Sequence, residues 1–343
     1  MPFDPEPSPE FNARLNEIFD AWEHGVLSFR DASVQLEAMA TEASEPAQPA
    51  NQGRVELFLG IMQGYRANLD ASIGHFERAR GFFEQAGNRR RAIGCVLNLG
   101  ESYRLKGSFA RARQLFRAAY DGAITLKEVS TQALAAFNEG QMLLSMGHPE
   151  SARKSVEDAY RISALMINET DHEARVELQS DIISVLAQIY LQLGDFAKAW
   201  EYSCDALQRA RQIAQPLQLG IAHRAMGEVL TELPEHPVTP TDISLDPDDH
   251  FRLSTESFQE IKAEGEMARS VYTHALSLTK RGKGLMAARK MQQAMIIFTR
   301  LGMNDDAAKA ARAQIDVLAR ATSDTKPLRN PLSAPKPSND AKT

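Results

Sequence analysis

Asp246, Pro247, Asp248, Asp249 and His250 bring ligand-type side chains into one short run. A calcium loop would need Gly at its sixth place and Glu at its twelfth. Counted from Asp246, those places hold Phe251 and Ser257, so the run reads instead as the acidic start of a helix. Gly282, Lys283 and Gly284 are the nearest approach to a phosphate loop, but no strand precedes them. The eight histidines, among them His24, His75, His148 and His223, fall in no nucleophile or metal motif. Cys95 and Cys204 stand 109 residues apart. That is neither a disulfide framework nor a zinc spacing, and both read as small buried side chains. These residues predict no catalytic group, no metal and no cofactor.

What the sequence does show is internal repetition. Val96, Leu99, Gly100, Tyr103, Gly107, Ala112, Phe116 and Ala119 recur 40 residues later as Ala136, Glu139, Gly140, Leu143, Gly147, Ala152, Val156 and Ala159. A period of this size marks stacked supersecondary units. Six units can be aligned on their first small residue, at Gly60, Gly100, Gly140, Ala187, Gly227 and Ala275. Turn residues follow at Ala67, Gly107, Gly147, Gly194, a loop near Pro234, and Gly282. A second small residue falls at Ser72, Ala112, Ala152, Ala199, Ser254 and Ala287. The large place after it holds Phe76, Phe116, Val156, Ser203, Phe258 and Met291. Small residues let two helix backbones approach, and larger apolar ones fill the space between layers.

This arrangement resembles the tetratricopeptide repeat. Units of about 40 residues are similar to the longer variety in the sensor region of MalT-type activators and in the helical tails of bacterial signalling ATPases, cyclases and kinases. The resemblance covers roughly residues 51–320 and implies an all-α, right-handed superhelical solenoid of about six helix-turn-helix units, with helical caps at both ends. It also implies that the first helix of each unit lines a concave groove, with places 5, 6, 9 and 12 facing a ligand. Those places give Asn98, Glu101 and Arg104 in the second unit, Asn138 and Gln141 in the third, Gln188 in the fourth, Arg224 and Glu228 in the fifth, and Tyr272 and Thr279 in the sixth. Asn98 and Asn138 share one place in adjacent units. A ladder of this kind can clamp an extended peptide backbone, as similar ladders do in the family.

The chain is thus read as a non-catalytic scaffold for a protein or peptide, with a peptide-responsive sensor acting through a separate output partner as the alternative. Homo-oligomers are compatible with either reading. Of its 343 residues, 43% are apolar and 24% charged, and the net charge is −6. A basic stripe for nucleic acid is missing; Arg89, Arg90 and Arg91 fall in a turn. No 18-residue apolar run is present and residues 1–9 do not form a secretory signal, which makes the cytoplasm the expected location.

Along the chain, residues 1–8 are expected to be disordered and 9–43 to form a helical pair, with Leu15, Ile18, Phe19 and Trp22 on one face and Val34, Leu36 and Met39 on the other helix. Residues 44–52 read as a linker that lets this pair move, 53–303 as the solenoid, and 233–247 as a Pro-rich insert within it. Residues 304–321 read as a capping helix with Ala307, Ala311, Ile315 and Leu318 on its inner face, and 322–343 as a disordered tail.

Overall fold

The computed structural model describes residues 6–23, 26–44, 47–168, 172–235 and 242–323. The tail beyond Ser323, the first five residues and the centre of the Pro-rich insert lie outside the described residues. Among the described residues there are fifteen helices and no strand. Six consecutive antiparallel pairs form the solenoid. They are α3 (Pro49–Tyr65) with α4 (Leu69–Ala86), α5 (Arg89–Leu105) with α6 (Phe109–Leu126), and α7 (Val129–Ser145) with α8 (Pro149–Ser163). Then come α9 (His172–Gln192) with α10 (Phe196–Ile213), α11 (Pro216–Glu232) with α12 (Pro247–Glu260), and α13 (Glu264–Lys280) with α14 (Gly284–Arg300). The pair α1 (Pro9–Glu23) and α2 (Phe29–Glu42) precedes them, and α15 (Asn304–Ser323) follows.

Local chemistry sets the boundaries. Proline opens α1, α3, α8, α11 and α12, where its missing N–H costs nothing. Ser28, Asn88, Asp195 and Asp246 cap helices by accepting from main-chain N–H groups. The turns inside five units carry a positive φ at Ala67, Gly107, Gly147, Gly194 and Gly282, one place in the repeat frame. Ala67 adopts φ 56° without glycine's freedom, which is an unfavourable backbone for a residue with a Cβ.

In four of the six pairs a glycine meets a large side chain at the crossing. A Cβ on Gly60 would sit 2.6 Å from Phe76, and one on Gly53 would sit 2.9 Å from Phe83. Gly140 abuts Val156 in the same way. Unit five departs from the expected register. There Gly227 faces Phe251 and Gly220 faces Phe258, at 3.0 and 2.8 Å. Phe251 therefore holds the place read as Phe258, and α12 is displaced by seven residues. Gly220 and Gly227 are themselves seven apart, as are Phe251 and Phe258, so two registers satisfy the same pattern.

The N-terminal pair is docked rather than free. Helix α3 begins inside the stretch read as a linker. Phe19 stacks on Phe58 at 4.5 Å, Trp22 meets Tyr65 edge-on, and Arg54 reaches Asn12 and Asn16. Residues 6–8 are tied down as well: Pro7 is buried, Glu6 pairs with Arg91 at 2.6 Å, and the Ser8 N–H donates to Asn51. Val34 is 58% exposed; the buried face of α2 runs through Ala32, Leu36 and Met39 instead. In α15 the inward residues are Ala310 and Val317, while Ile315 and Leu318 are exposed. Both helices carry apolar residues on two sides, and only packing chooses between them.

The superhelix turns far enough for its ends to touch. Ala67, in the turn of the first unit, joins the apolar cluster of Ala268, Val271 and Met303 in the last. A Cβ on Gly265 would lie 3.6 Å from both Ala67 and Met303.

Candidate functional site

The inner helices α7, α9, α11 and α13 end side by side and line an open cavity of about 420 Å³. Its walls come from the last turns of those helices: Leu144 and Ser145, then Leu191 and Gln192, then Thr231 and Glu232, then Leu276 and Lys280. Phe251 of α12 closes one side. Leucines supply apolar surface. Gln188 and Glu228, also in the wall, meet across adjacent units, with Nε2 of Gln188 donating to Oε2 of Glu228 at 2.6 Å. Burial pushes the Glu228 carboxyl up, against the opposing pull of Arg224 and the Gln188 bond. Glu232 and Lys280 form an ion pair at the rim.

The other expected groove residues distribute differently. Arg224 pairs with Glu266 at 2.7 Å and lies over the Phe258 ring. Burial would raise the Glu266 carboxyl, but Arg224 and Arg269 outweigh it and hold the group well below the usual carboxylate range. Glu101 and Arg104 form a two-bond ion pair within α5, at 2.7 and 2.6 Å. Burial works against the Arg104 charge, while Glu101, Glu266 and Asp306 together raise its pKa. Asn98 and Asn138 are half-buried, one helix pair apart, and neither lines the cavity. Gln141 is half-buried too, and its main-chain carbonyl accepts from Ser145. Tyr272 packs edge-on against Phe298, and the Thr279 hydroxyl donates to the Ala275 carbonyl. Of the ten, the structure brings Gln188 and Glu228 together in one wall.

Place 13 of the unit was missed by the sequence reasoning. Ser145, Gln192, Glu232 and Lys280 all hold it and all line the cavity. The signal was there, since place 13 follows place 9 by one helical turn. Asp181 was missed as well. Burial, with Glu177 and Glu266 nearby, pushes its carboxyl up to about 7, and its Oδ1 is buried with no hydrogen-bond partner among the described residues.

Among the described residues, no group of three or more His, Cys, Asp or Glu is placed to hold a metal ion. No described helix is long and apolar enough to cross a membrane.

Comparison with known proteins agrees with the fold. The tetratricopeptide repeat profile matches residues 181–213, which span the fourth unit from α9 to the end of α10. No curated protein matches the chain. Solved structures of similar fold include a Rap protein complexed with competence and sporulation factor, with a TM-score of 0.61 at 12% identity, covering 94% of this chain and 90% of that one. The apo form of RapI gives 0.54 at 11% identity, over 92% of this chain and 99% of that one. NprR in complex with its cognate peptide NprX gives 0.54 at 13% identity, over 90% and 99%. The chain has the fold of a tetratricopeptide-like helical solenoid.

Proposed function

We propose that the chain is a non-catalytic peptide-binding protein whose ligand lies along the inner face of the solenoid, anchored in the 420 Å³ cavity between α7 and α13. The observation that carries this is the cavity wall itself. Its size falls in the range of ligand pockets, and it combines three leucines with a few convergent polar groups. Leu144, Leu191 and Leu276 suit an apolar side chain, and Gln188, Glu228 and Thr231 offer bonding groups to a peptide. The bound peptide in the NprR structure of similar fold supports the same choice of ligand. Asn98, Asn138 and the remaining groove residues would hold the extended part of the chain beyond the cavity.

The sensor alternative is favoured by one observation. The contact of Ala67 with Gly265 and Met303 joins the two ends of the superhelix through a few side chains. A ligand inside the turn can shift so small a contact, and a separate output partner would read the change. Cys95 and Cys204 are both free thiols, which suits a reducing compartment such as the cytoplasm.

A library of random heptapeptides selected on the immobilised protein tests the reading. Enriched peptides should bind the parent in titration calorimetry and lose at least about tenfold in affinity with Leu191→Arg, a loss of about 1.4 kcal/mol. Peptides that bind the variant equally well would remove the cavity from the site.

A further inference from the structure

His223 of α11 and His250 of α12 face each other inside unit five, Nδ1 to Nδ1 at 2.9 Å, and both are buried. The second nitrogen of His250 lies 2.9 Å from the Ser244 carbonyl oxygen. A carbonyl only accepts, so Nε2 of His250 carries a proton and its Nδ1 is a bare acceptor. His223 must then donate from Nδ1. Each ring is neutral, and a single hydrogen fills the space between them.

Added protons have poor places to go. A first one can reach only Nε2 of His223, which creates a buried cation. Burial opposes that cation first, Arg211 and Arg252 oppose it as well, and Asp249 and Asp246 offset them only in part. From α10, Arg211 faces it, held to Asp242 at 2.6 Å. From α12 come Arg252 and Asp249, and Asp249 is engaged by Ser244 and Arg252. Asp246 lies at the α12 cap and is drawn toward Arg281. From α13, His274 stacks on Phe251 and bonds to Asp248, which also holds Arg281 and Lys283. A second proton, on Nδ1 of His250, would set two N–H groups head to head.

We propose that the His223–His250 pair is an acid-sensitive latch on the ligand cavity, holding α12 against α11 when neutral and releasing it when protonated. The mechanical link is short. Phe251, next to His250 in the chain, fills the space over Gly227 and closes one side of the cavity. Glu228, in the same wall, follows His223 on α11. Loss of the contact between the rings loosens the wall at both points. In agreement, burial and the neighbouring His250 lower His223 to about 3, and burial lowers His250 as well. The consequence for ligand release rests on the peptide reading above; the latch itself does not.

Amide hydrogen exchange on the ligand-free full chain tests the latch without any peptide. Protection factors of residues 248–260 and 228–232 should fall at least about tenfold between pH 7 and pH 5, with those of α5 and α6 unchanged. His223→Asn keeps a donor near the place of Nδ1 and cannot itself take up a proton, so its loss should be clearly smaller than the parent's, with His250 alone left to titrate. His274→Gln keeps a donor for Asp248 and should behave as the parent. Constant protection in the parent, an equal loss in His223→Asn, or a loss abolished by His274→Gln would each overturn the proposal. If His223→Asn does not fold, an NMR titration of the His223 ring in the parent decides: midpoint below pH 5 supports the latch, and a midpoint at the ordinary value near 6.5 overturns it.

Discussion

Gly100 and Phe116 stand so close that a Cβ on the glycine would lie 2.6 Å from Cε1 of the ring. The ring is 1% exposed and has nowhere to retreat. Gly100→Ala should therefore destabilise by about 1–3 kcal/mol through overpacking. Gly94 provides the control, since it lies in the same helix with nothing within 4 Å of its Cβ position. Gly94→Ala should be neutral or stabilise by up to about 1 kcal/mol, because alanine loses less backbone freedom. Chemical denaturation of the two variants checks both signs. Equal destabilisation would mean the crossing is not set by this contact.

This glycine was legible in the sequence because its partner recurs 16 residues later in three units, at Phe76, Phe116 and Val156. Unit five shows where legibility stopped. A heptad shift of Phe258 to Phe251 keeps a phenylalanine in the large place, and the packing of Gly220 and Gly227 chooses between the two. The face of α15 was ambiguous for a related reason. Ala307, Ala310, Ala311, Ile315, Val317 and Leu318 supply two apolar stripes, and the sequence does not say which one meets α14. The cavity was half legible. Gln188 and Glu228 followed from the repeat frame, whereas Phe251 enters from a second helix whose register was mistaken.

Asp181 makes a pH prediction of its own. Its folded pKa of about 7 lies above the ordinary 3.8, so the folded chain holds this proton where the unfolded chain has lost it. Stability from this residue is full below pH 3.8 and is lost as pH rises toward 7. Asp181→Asn should then melt higher than the parent at pH 8, by about 1–3 kcal/mol of stability, and nearly with it at pH 4. Melting curves at the two pH values check this. A parent that is the more stable at pH 8 would show that the carboxylate has a partner in the folded protein.

Val317 is 6% exposed and packs with Ala288 and Met291 of the last pair. Val317→Asp puts a charge into that contact and should lift α15 from the end of the solenoid. Open solenoid ends are poorly soluble. The expected outcome is a stability loss of about 2–5 kcal/mol with aggregation on concentration. Ile315→Asp, on the exposed side, should stay within about 0.5 kcal/mol of the parent. Light scattering and melting of the pair distinguish the two faces; matched behaviour would show that α15 does not serve as a cap.

The last prediction separates two parts of the proposed groove. Asn98 and Asn138 share a place in adjacent units, and an Asn amide can both donate to and accept from a peptide main chain. Gln188 and Glu228 stand in the cavity wall and are already bonded to each other at 2.6 Å. A ligand that spans both regions would feel the two changes differently. Removing both asparagines, as Asn98→Ala with Asn138→Ala, loses two main-chain hydrogen bonds at about 0.5–1.5 kcal/mol each, or roughly tenfold in affinity. That loss should be the same for peptides of any side-chain sequence. Glu228→Gln leaves the shape of the wall and removes its charge, so its effect should vary with the side chain that enters the cavity. Calorimetry of several selected peptides against both variants provides the check. Uniform losses for the asparagine variant with peptide-dependent losses for Glu228→Gln would place the main chain along α5 and α7 and one side chain in the cavity. No loss with the asparagines removed would leave the cavity as the binding site and take the clamp out of the reading.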